Sequence, residues 1–276
     1  MMEPRLNQAE TGLGEGLGQK VVVVVAHPDD EVLWLAAVLP RASKILVALP
    51  GNAVDARLER ARTEVQASYP VAGLEFLPLS SAGVYKQSDY LRRRLSDYGV
   101  TLKTSCPRDR ADHYISNFSL IAEGLESCIA PSSTVFTHNP WGEYGHEEHI
   151  QVSRAVLGLV ERHGLSVWAW EGFSKNDQLA SGVRTRADYF REGMIASLPS
   201  IELEVDLDLF RRIRELYMKH HAWTWDDDYL PPSPSRYVQL AHDGIVIVEQ
   251  RRPPRMRQAH IAGQLITGRA KRYFRN

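Results

Sequence analysis

Five consecutive valines, Val21 to Val25, constrain this chain more than any other stretch. A run this short, wholly apolar and β-branched reads as a buried strand, and a strand apolar on both faces belongs inside a parallel sheet covered by helices. After Ala26 the chain turns at once to His27-Pro28-Asp29-Asp30-Glu31, and then to an apolar segment, Val32 to Leu39, that reads as a helix. In open α/β sheets, ligands bind in the crevice at the carboxyl ends of the strands. An imidazole and three carboxylates at such a strand end mark where function should begin.

The remaining pattern extends that strand into a sheet. Lys44 to Leu49 and Leu74 to Leu79 read as strands, with the charged, helix-favouring Asp55 to Ser68 between them. Strand and helix alternating at this spacing argue for βαβ units with right-handed crossovers. Further on, Tyr90 to Tyr98 is expected as a short helix, Tyr114 to Ile129 as a helix, Thr134 to Thr137 as a strand and Ser166 to Trp170 as another. From His146 through Val160 the pattern is helical, with Ile150, Val152, Val156, Leu157 and Val160 available to one face. Asp206 to His221 is amphipathic. Tyr237 to Ala241 and Ile245 to Glu249 read as a hairpin across His242-Asp243-Gly244. The expected fold class is α/β: a mainly parallel sheet with helices on both faces, plus a C-terminal helix and β-hairpin extension. The expected organisation is a flexible leader over 1–19, one domain over 20–250 and a basic tail over 251–276.

Composition narrows the function classes. A formal net charge of -1 gives no general reason to expect nucleic acid or a membrane as partner. No apolar run approaches the ~20 residues of a bilayer span. Cys106 and Cys128 form no disulfide framework and have no CxxC partner, as expected of thiols in a reducing compartment. The leader lacks an apolar core of the secretory kind, so a cytoplasmic location is expected. Its Gly-Leu-Gly-Glu-Gly-Leu-Gly run precedes the first strand and does not match G-x-G-x-x-G, so it lacks the setting of a nucleotide loop.

A second polar cluster follows the strand at Thr134 to Thr137, namely His138-Asn139-Pro140-Trp141-Gly142-Glu143-Tyr144-Gly145-His146-Glu147-Glu148-His149. His146 and His149 lie on one helical face. In a parallel sheet both strand ends lie along one edge, so His27, Asp29 and Asp30 can meet His146 and His149 across the crevice. Two imidazoles and a carboxylate make an open metal site with room for water. Asp29, Asp30 and Glu31 also suit a plain helix start, where acids cap and complement the dipole. His146 and His149 likewise suit an exposed polar turn. Two strand ends that both carry metal-type ligands favour the site. The order His-Glu-Glu-His is neither H-E-x-x-H nor H-x-x-E-H, so a zinc-protease helix is not supported.

Ala26-His27-Pro28-Asp29-Asp30-Glu31 with Gly145-His146-Glu147-Glu148-His149 downstream resembles the PIG-L/LmbE-like zinc-dependent N-deacetylase family, over about residues 21–160. The resemblance implies a Rossmann-like fold and a metal-dependent hydrolase that removes an N-acetyl (N-acyl) group from an amino-sugar-containing small molecule or glycoconjugate. It implies His27, Asp30 and His149 as metal ligands, Asp29 as general base and His146 as the residue that assists the tetrahedral intermediate. Zn²⁺ is the implied cofactor, although such a ligand set also accepts Fe²⁺ or another divalent metal. Tyr144 falls where some members place a tyrosine beside the site, and Arg62 and Glu64 match loosely an Arg and a Glu of the second helix, which makes Tyr144 and Arg62 candidates to bind substrate. The chain departs from the family in carrying Glu147-Glu148 where Pro-Asp is usual, which keeps an acid at 148 for a supporting role. Trp141 and Tyr144 are candidates to stack on a sugar, and the stretch Tyr217 to Tyr229 is a candidate pocket wall. His138 suits either a supporting or a structural part.

The chemistry explains the residue types. A divalent cation polarises an amide carbonyl and lowers the pKa of water toward ~7. Of two adjacent carboxylates, Asp30 can serve the metal while Asp29 takes a proton, an assistance worth ~10²–10⁴-fold. Two alternatives stay open at this point: a metal-dependent esterase or other acyl hydrolase, and a non-catalytic metal- or ligand-binding module.

Overall fold

The computed structural model describes residues 20–52, 55–89, 94–171 and 198–250. The expected leader 1–19 and basic tail 251–276 lie outside the described residues. In chain order the first half runs β1 (Val21–Val25), α1 (Asp30–Trp34), β2 (Lys44–Val47), β3 (Gly51–Asn52), α2 (Ala56–Ala67), β4 (Leu74–Phe76), β5 (Ser80–Ser81), β6 (Leu95–Ser96), β7 (Gly99–Val100) and α3 (Arg108–Cys128). The second half runs β8 (Thr134–Thr137), α4 (Glu147–His163), β9 (Ser166–Trp170), β10 (Ser200–Leu203), α5 (Leu207–Lys219), β11 (Ser235–His242), β12 (Ile245–Val246) and α6 (Ile247–Gln250).

The main sheet has the order β10-β11-β9-β8-β1-β2-β4, with β12 paired to β11. Strands β4, β2, β1, β8 and β9 are mutually parallel, whereas β11 runs antiparallel to β9, β10 and β12. The fold is therefore the expected α/β class, with the C-terminal strands continuing the main sheet. The valine run sits at its centre because it is apolar on both faces. Val22 and Val24 pack with Ile121 and Leu125 of α3 and Val152, Val156 and Leu159 of α4. Val21, Val23 and Val25 face the other way, against Ala61 and Val65 of α2 and Phe210, Ile213 and Tyr217 of α5. Fully burying one such aliphatic or aromatic side chain contributes ~1.5–3 kcal/mol, so the sheet centre is where the fold draws much of its stability.

This topology positions the site. From β1 the chain moves to β2 and β4 on one side, then returns to β8 and β9 on the other. The strand order reverses between β1 and β8, and that switch point is where open α/β sheets leave a crevice. Both polar clusters emerge there, one after β1 and one after β8.

Some local expectations change. The helix expected over Val32 to Leu39 ends at Trp34. Pro40 disfavours helical backbone at Leu39, and the chain closes in a 3-10 turn, Leu39–Arg41. In place of the short helix expected over Tyr90 to Tyr98, its described part holds β6, paired with β7 through a turn that uses Gly99 at φ +134°. Residues 90–93 lie outside the described set. α3 starts at Arg108, ahead of the expected Tyr114, because its first turns are charged and carry no apolar periodicity to mark them in the sequence. The second arm of the hairpin is two residues long before α6 takes over. Cys106 and Cys128 are free thiols. No helix among the described residues is long and apolar enough to cross a membrane.

Candidate metal centre

At the end of β1 the chain turns sharply. Asp29 caps α1 in the left-handed region, φ +93°, and its N–H donates to Glu31 Oε2 at 3.0 Å. Glu31 is fully buried, and its other oxygen accepts from the Tyr69 and Tyr217 hydroxyls, each at 2.8 Å. Glu31 thus ties the motif to α5 and to the end of α2. Asp30 points the opposite way: Oδ1 accepts from Trp34 Nε1 at 3.2 Å and Oδ2 from the His27 N–H at 2.7 Å.

At the end of β8, three positive-φ residues, Gly142 (φ +71°), Glu143 (φ +52°) and Gly145 (φ +97°), fold the loop tightly against α4. A Cβ at Gly142 would lie 2.6 Å from the His146 carbonyl, so only glycine fits. His146 caps α4, and its Nδ1 accepts the Glu148 N–H at 3.2 Å. In a neutral imidazole with Nδ1 accepting, the proton sits on Nε2.

The two loops meet. Asp30 Oδ2 lies 3.2 Å from His27 Nδ1, 3.3 Å from His149 Nε2 and 3.5 Å from His138 Nε2. The other ring nitrogen of each nearby histidine is held by a buried carboxylate. His27 Nε2 meets Glu148 Oε2 at 2.8 Å, and His149 Nδ1 meets Glu143 Oε2 at 2.7 Å. Glu148 itself accepts from Ser81 Oγ and the Ala82 N–H. Two groups have donor atoms all within 4.8 Å of one another: His27, His146 and His149, and separately Asp30, His138 and His149. The expected ligands His27, Asp30 and His149 are split between these groups, with His149 common to both.

The donor chemistry fits a cation. If His27 gives its Nε2 proton to Glu148 and His149 its Nδ1 proton to Glu143, a bare lone pair on each ring faces Asp30 Oδ2. His149 Nε2 is buried without a hydrogen-bond partner among the described residues. Acceptors at about 3 Å from one another repel unless positive charge lies between them, either as extra protons or as one ion. Glu148 and Glu143 do what carboxylates commonly do beside ligating histidines, fixing tautomer and ring orientation.

The electrostatics of the protein alone separate the two aspartates. Burial opposes ionisation of Asp30, but His149, His138 and His27 outweigh it and hold its carboxyl well below the usual range. Asp29 is raised to about 7 by burial and the charge of Asp30, against the pull of Thr224 and Arg62. Burial raises Glu31 to about 7 as well. For His27, hydrogen bonds to Asp30 and Glu148 overcome burial and raise the imidazole to about 9. Burial and then the charges of His149 and His27 drive His146 well below its ordinary value, so it stands neutral.

The other expected residues fall differently. Asp29 Oδ2 accepts from both the Thr224 N–H (2.9 Å) and Thr224 Oγ1 (2.7 Å). Tyr144 is half-buried beside the centre, its ring 5.6 Å from that of His149 and 5.9 Å from that of His146. Trp141 is 1% exposed and packs in the core beneath the sheet. That burial leaves little of its surface for the sugar stacking expected of it. Arg62 is buried with Nη1 on the Pro50 carbonyl at 3.0 Å, and its charge acts on Asp29. Glu64 pairs with His220 on the surface.

Sequence reasoning gave no role to Glu143, Thr224, Tyr85 or Trp34. Tyr85 stacks parallel on His146, with ring centroids 5.0 Å apart, and its loop is pinned by the Lys86 and Ser88 N–H groups on Glu147. Trp225 lies against Trp34 and Tyr144, so the stretch Tyr217 to Tyr229 does reach the site. Only Glu143 had a visible signal, an acid between two clustered histidines.

No family model matches the chain, and no curated protein matches it. Among solved structures it is similar to a chain described as a deacetylase–teicoplanin complex in the biosynthesis pathway of teicoplanin. The identity is 14% and the TM-score 0.45, over 80% of this chain and 97% of that one.

Proposed function

We propose that this protein is a metal-dependent N-deacetylase acting on an N-acetyl amino sugar carried by a small molecule or glycoconjugate. The observation that carries the reading is the arrangement around Asp30, whose Oδ2 is faced by His27 Nδ1 and His149 Nε2 at 3.2 and 3.3 Å. His27, Asp30 and His149 would hold the cation, with Zn²⁺ first and Fe²⁺ or another divalent metal as rivals. When bound, such an ion supplies a Lewis acid for the amide carbonyl and acidifies water. The amino-sugar class follows from the family that the two motifs resemble.

The chain's own residues supply the proton chemistry. Asp29 accepts the proton of the attacking water on Oδ1, because Thr224 occupies Oδ2. As oxygen adds to the carbonyl carbon, His146 donates from Nε2 to the oxygen that gains charge. A donor aimed at that oxygen is worth ~10²–10³-fold. The proton held by Asp29 then passes to the amine nitrogen as the C–N bond breaks, giving acetate and the free amine. Tyr144, with Trp225 behind it, borders the space where the sugar sits.

The test measures acetate released from N-acetyl and O-acetyl glycosides by zinc-loaded and chelator-stripped protein. Release from the N-acetyl compounds that disappears on stripping is expected. Release from the O-acetyl compounds alone would make the protein an esterase. Stoichiometric metal without turnover of any acyl compound would make it a binding module.

A further inference from the structure

We infer that Glu143 and His138 form a positioning pair that sets His149 as an Nε2 ligand, and that His138 is not itself a ligand. This inference rests on the reading that the centre holds a metal. It bears on an ambiguity of geometry, since His138 lies as close as 3.5 Å to Asp30 and belongs to one of the two clusters that could hold an ion.

His138 Nε2 accepts the backbone N–H of Ala26 at 2.8 Å. That bond occupies the lone pair with which the ring would otherwise bind a cation. The opposite nitrogen, Nδ1, therefore carries the proton and donates it to Glu143 Oε2 at 2.9 Å. The same oxygen accepts from His149 Nδ1 at 2.7 Å. The two rings are stacked, with centroids 3.9 Å apart and planes 17° from parallel, so one carboxylate oxygen serves both.

Glu143 is fixed in turn: Oε1 accepts the Asn139 N–H at 3.0 Å, and its own N–H donates to Asn139 Oδ1 at 2.8 Å. Its backbone lies at φ +52°, an uncommon conformation for a side-chain-bearing residue that the surrounding loop must hold in place. The chain Ala26 N–H, His138, Glu143, His149 links the end of β1 to the first turn of α4. It delivers to Asp30 an imidazole whose only free electron pair is on Nε2. Burial works against charge on His138, yet Glu143 and Asp30 outweigh it and raise its pKa to about 9. A proton on Nε2 would nevertheless confront the Ala26 N–H at 2.8 Å, so the neutral form agrees with the geometry.

Two readouts test the pair without any substrate. In metal-free protein with ¹⁵N-labelled histidine, long-range ¹H–¹⁵N spectra should show His138 and His149 as Nδ1–H tautomers. Glu143→Gln should leave His149 a mixture of the two tautomers. In competition with a chromophoric chelator, native protein should bind one zinc. Glu143→Gln should bind it roughly ten- to a hundredfold more weakly, and His138→Asn should keep a one-to-one stoichiometry that His149→Ala loses. If Glu143→Gln does not fold, Glu143→Asp, which keeps charge but shortens reach, carries the same expectation.

A doubly protonated His138, or an unweakened Glu143 variant, overturns the inference while leaving the metal reading intact. So does a His138→Asn variant as metal-free as His149→Ala. Native protein that binds no zinc overturns both.

Discussion

The two sides of the crevice are built from different materials. On the side of β1 and β8, buried imidazoles and carboxylates interlock: Glu148 holds His27, Glu143 holds both His138 and His149, and Asp30 lies among them. On the side of the segment after α5, Thr224 meets Asp29 and Trp225 packs on Trp34 and Tyr144. Asp30 and Asp29 are sequence neighbours that belong to opposite sides. The first is held as an anion by surrounding histidines, and the second is raised to about 7 by burial and by its neighbour's charge. On the proposed reading, one side would hold the cation and the other would place the base and the substrate.

That division can be broken in order of severity. His149→Ala should abolish both zinc binding and turnover, read by metal analysis of the purified protein alongside acetate release. Asp29→Asn should retain one zinc per chain while turnover falls ~10²–10⁴-fold, the range for loss of a general base. A variant that loses zinc instead would move Asp29 to the metal side.

Thr224→Val removes one hydroxyl donor and keeps the shape. Loss of one hydrogen bond to a charged group should lower kcat roughly tenfold or somewhat more, with zinc content unchanged and with recovery in Thr224→Ser. Equal kcat in the valine variant would detach the C-terminal segment from the chemistry. Trp225→Ala should raise KM by roughly two- to tenfold, as expected for an aromatic contact worth ~0.5–1.5 kcal/mol, with little change in kcat. An effect on kcat alone would place Trp225 with the base.

The same division governs what was legible in the sequence. The valine run and the acids after it are local signals, and a parallel sheet brings successive strand ends to one edge whatever the loops contain. That sufficed to bring His27, Asp30, His146 and His149 into one neighbourhood. The supporting carboxylate Glu143 was less visible, because its role depends on three positive-φ residues that bend the loop back onto α4. Thr224 had no local signature, and Trp225 was visible only as one member of the aromatic stretch Tyr217 to Tyr229. They reach Asp29 and Trp34 because α5 packs on the face of β1 that carries Val21, Val23 and Val25, an arrangement set by long-range packing. Trp141 illustrates the converse: an aromatic residue in a loop beside the site whose ring packs in the core with α3 and α4.

On the proposed reading, His27, Asp30 and His149 share one cation while Asp29 stands beside it unligated. Anomalous diffraction at the zinc edge from crystals of the zinc-loaded protein tests this directly. A single peak is expected at ~2.0–2.2 Å from one atom each of His27, Asp30 and His149, with no contact to Asp29 or His138. A peak ligated by His138 or by Asp29, or a centre without density in protein that carries stoichiometric zinc, would contradict it.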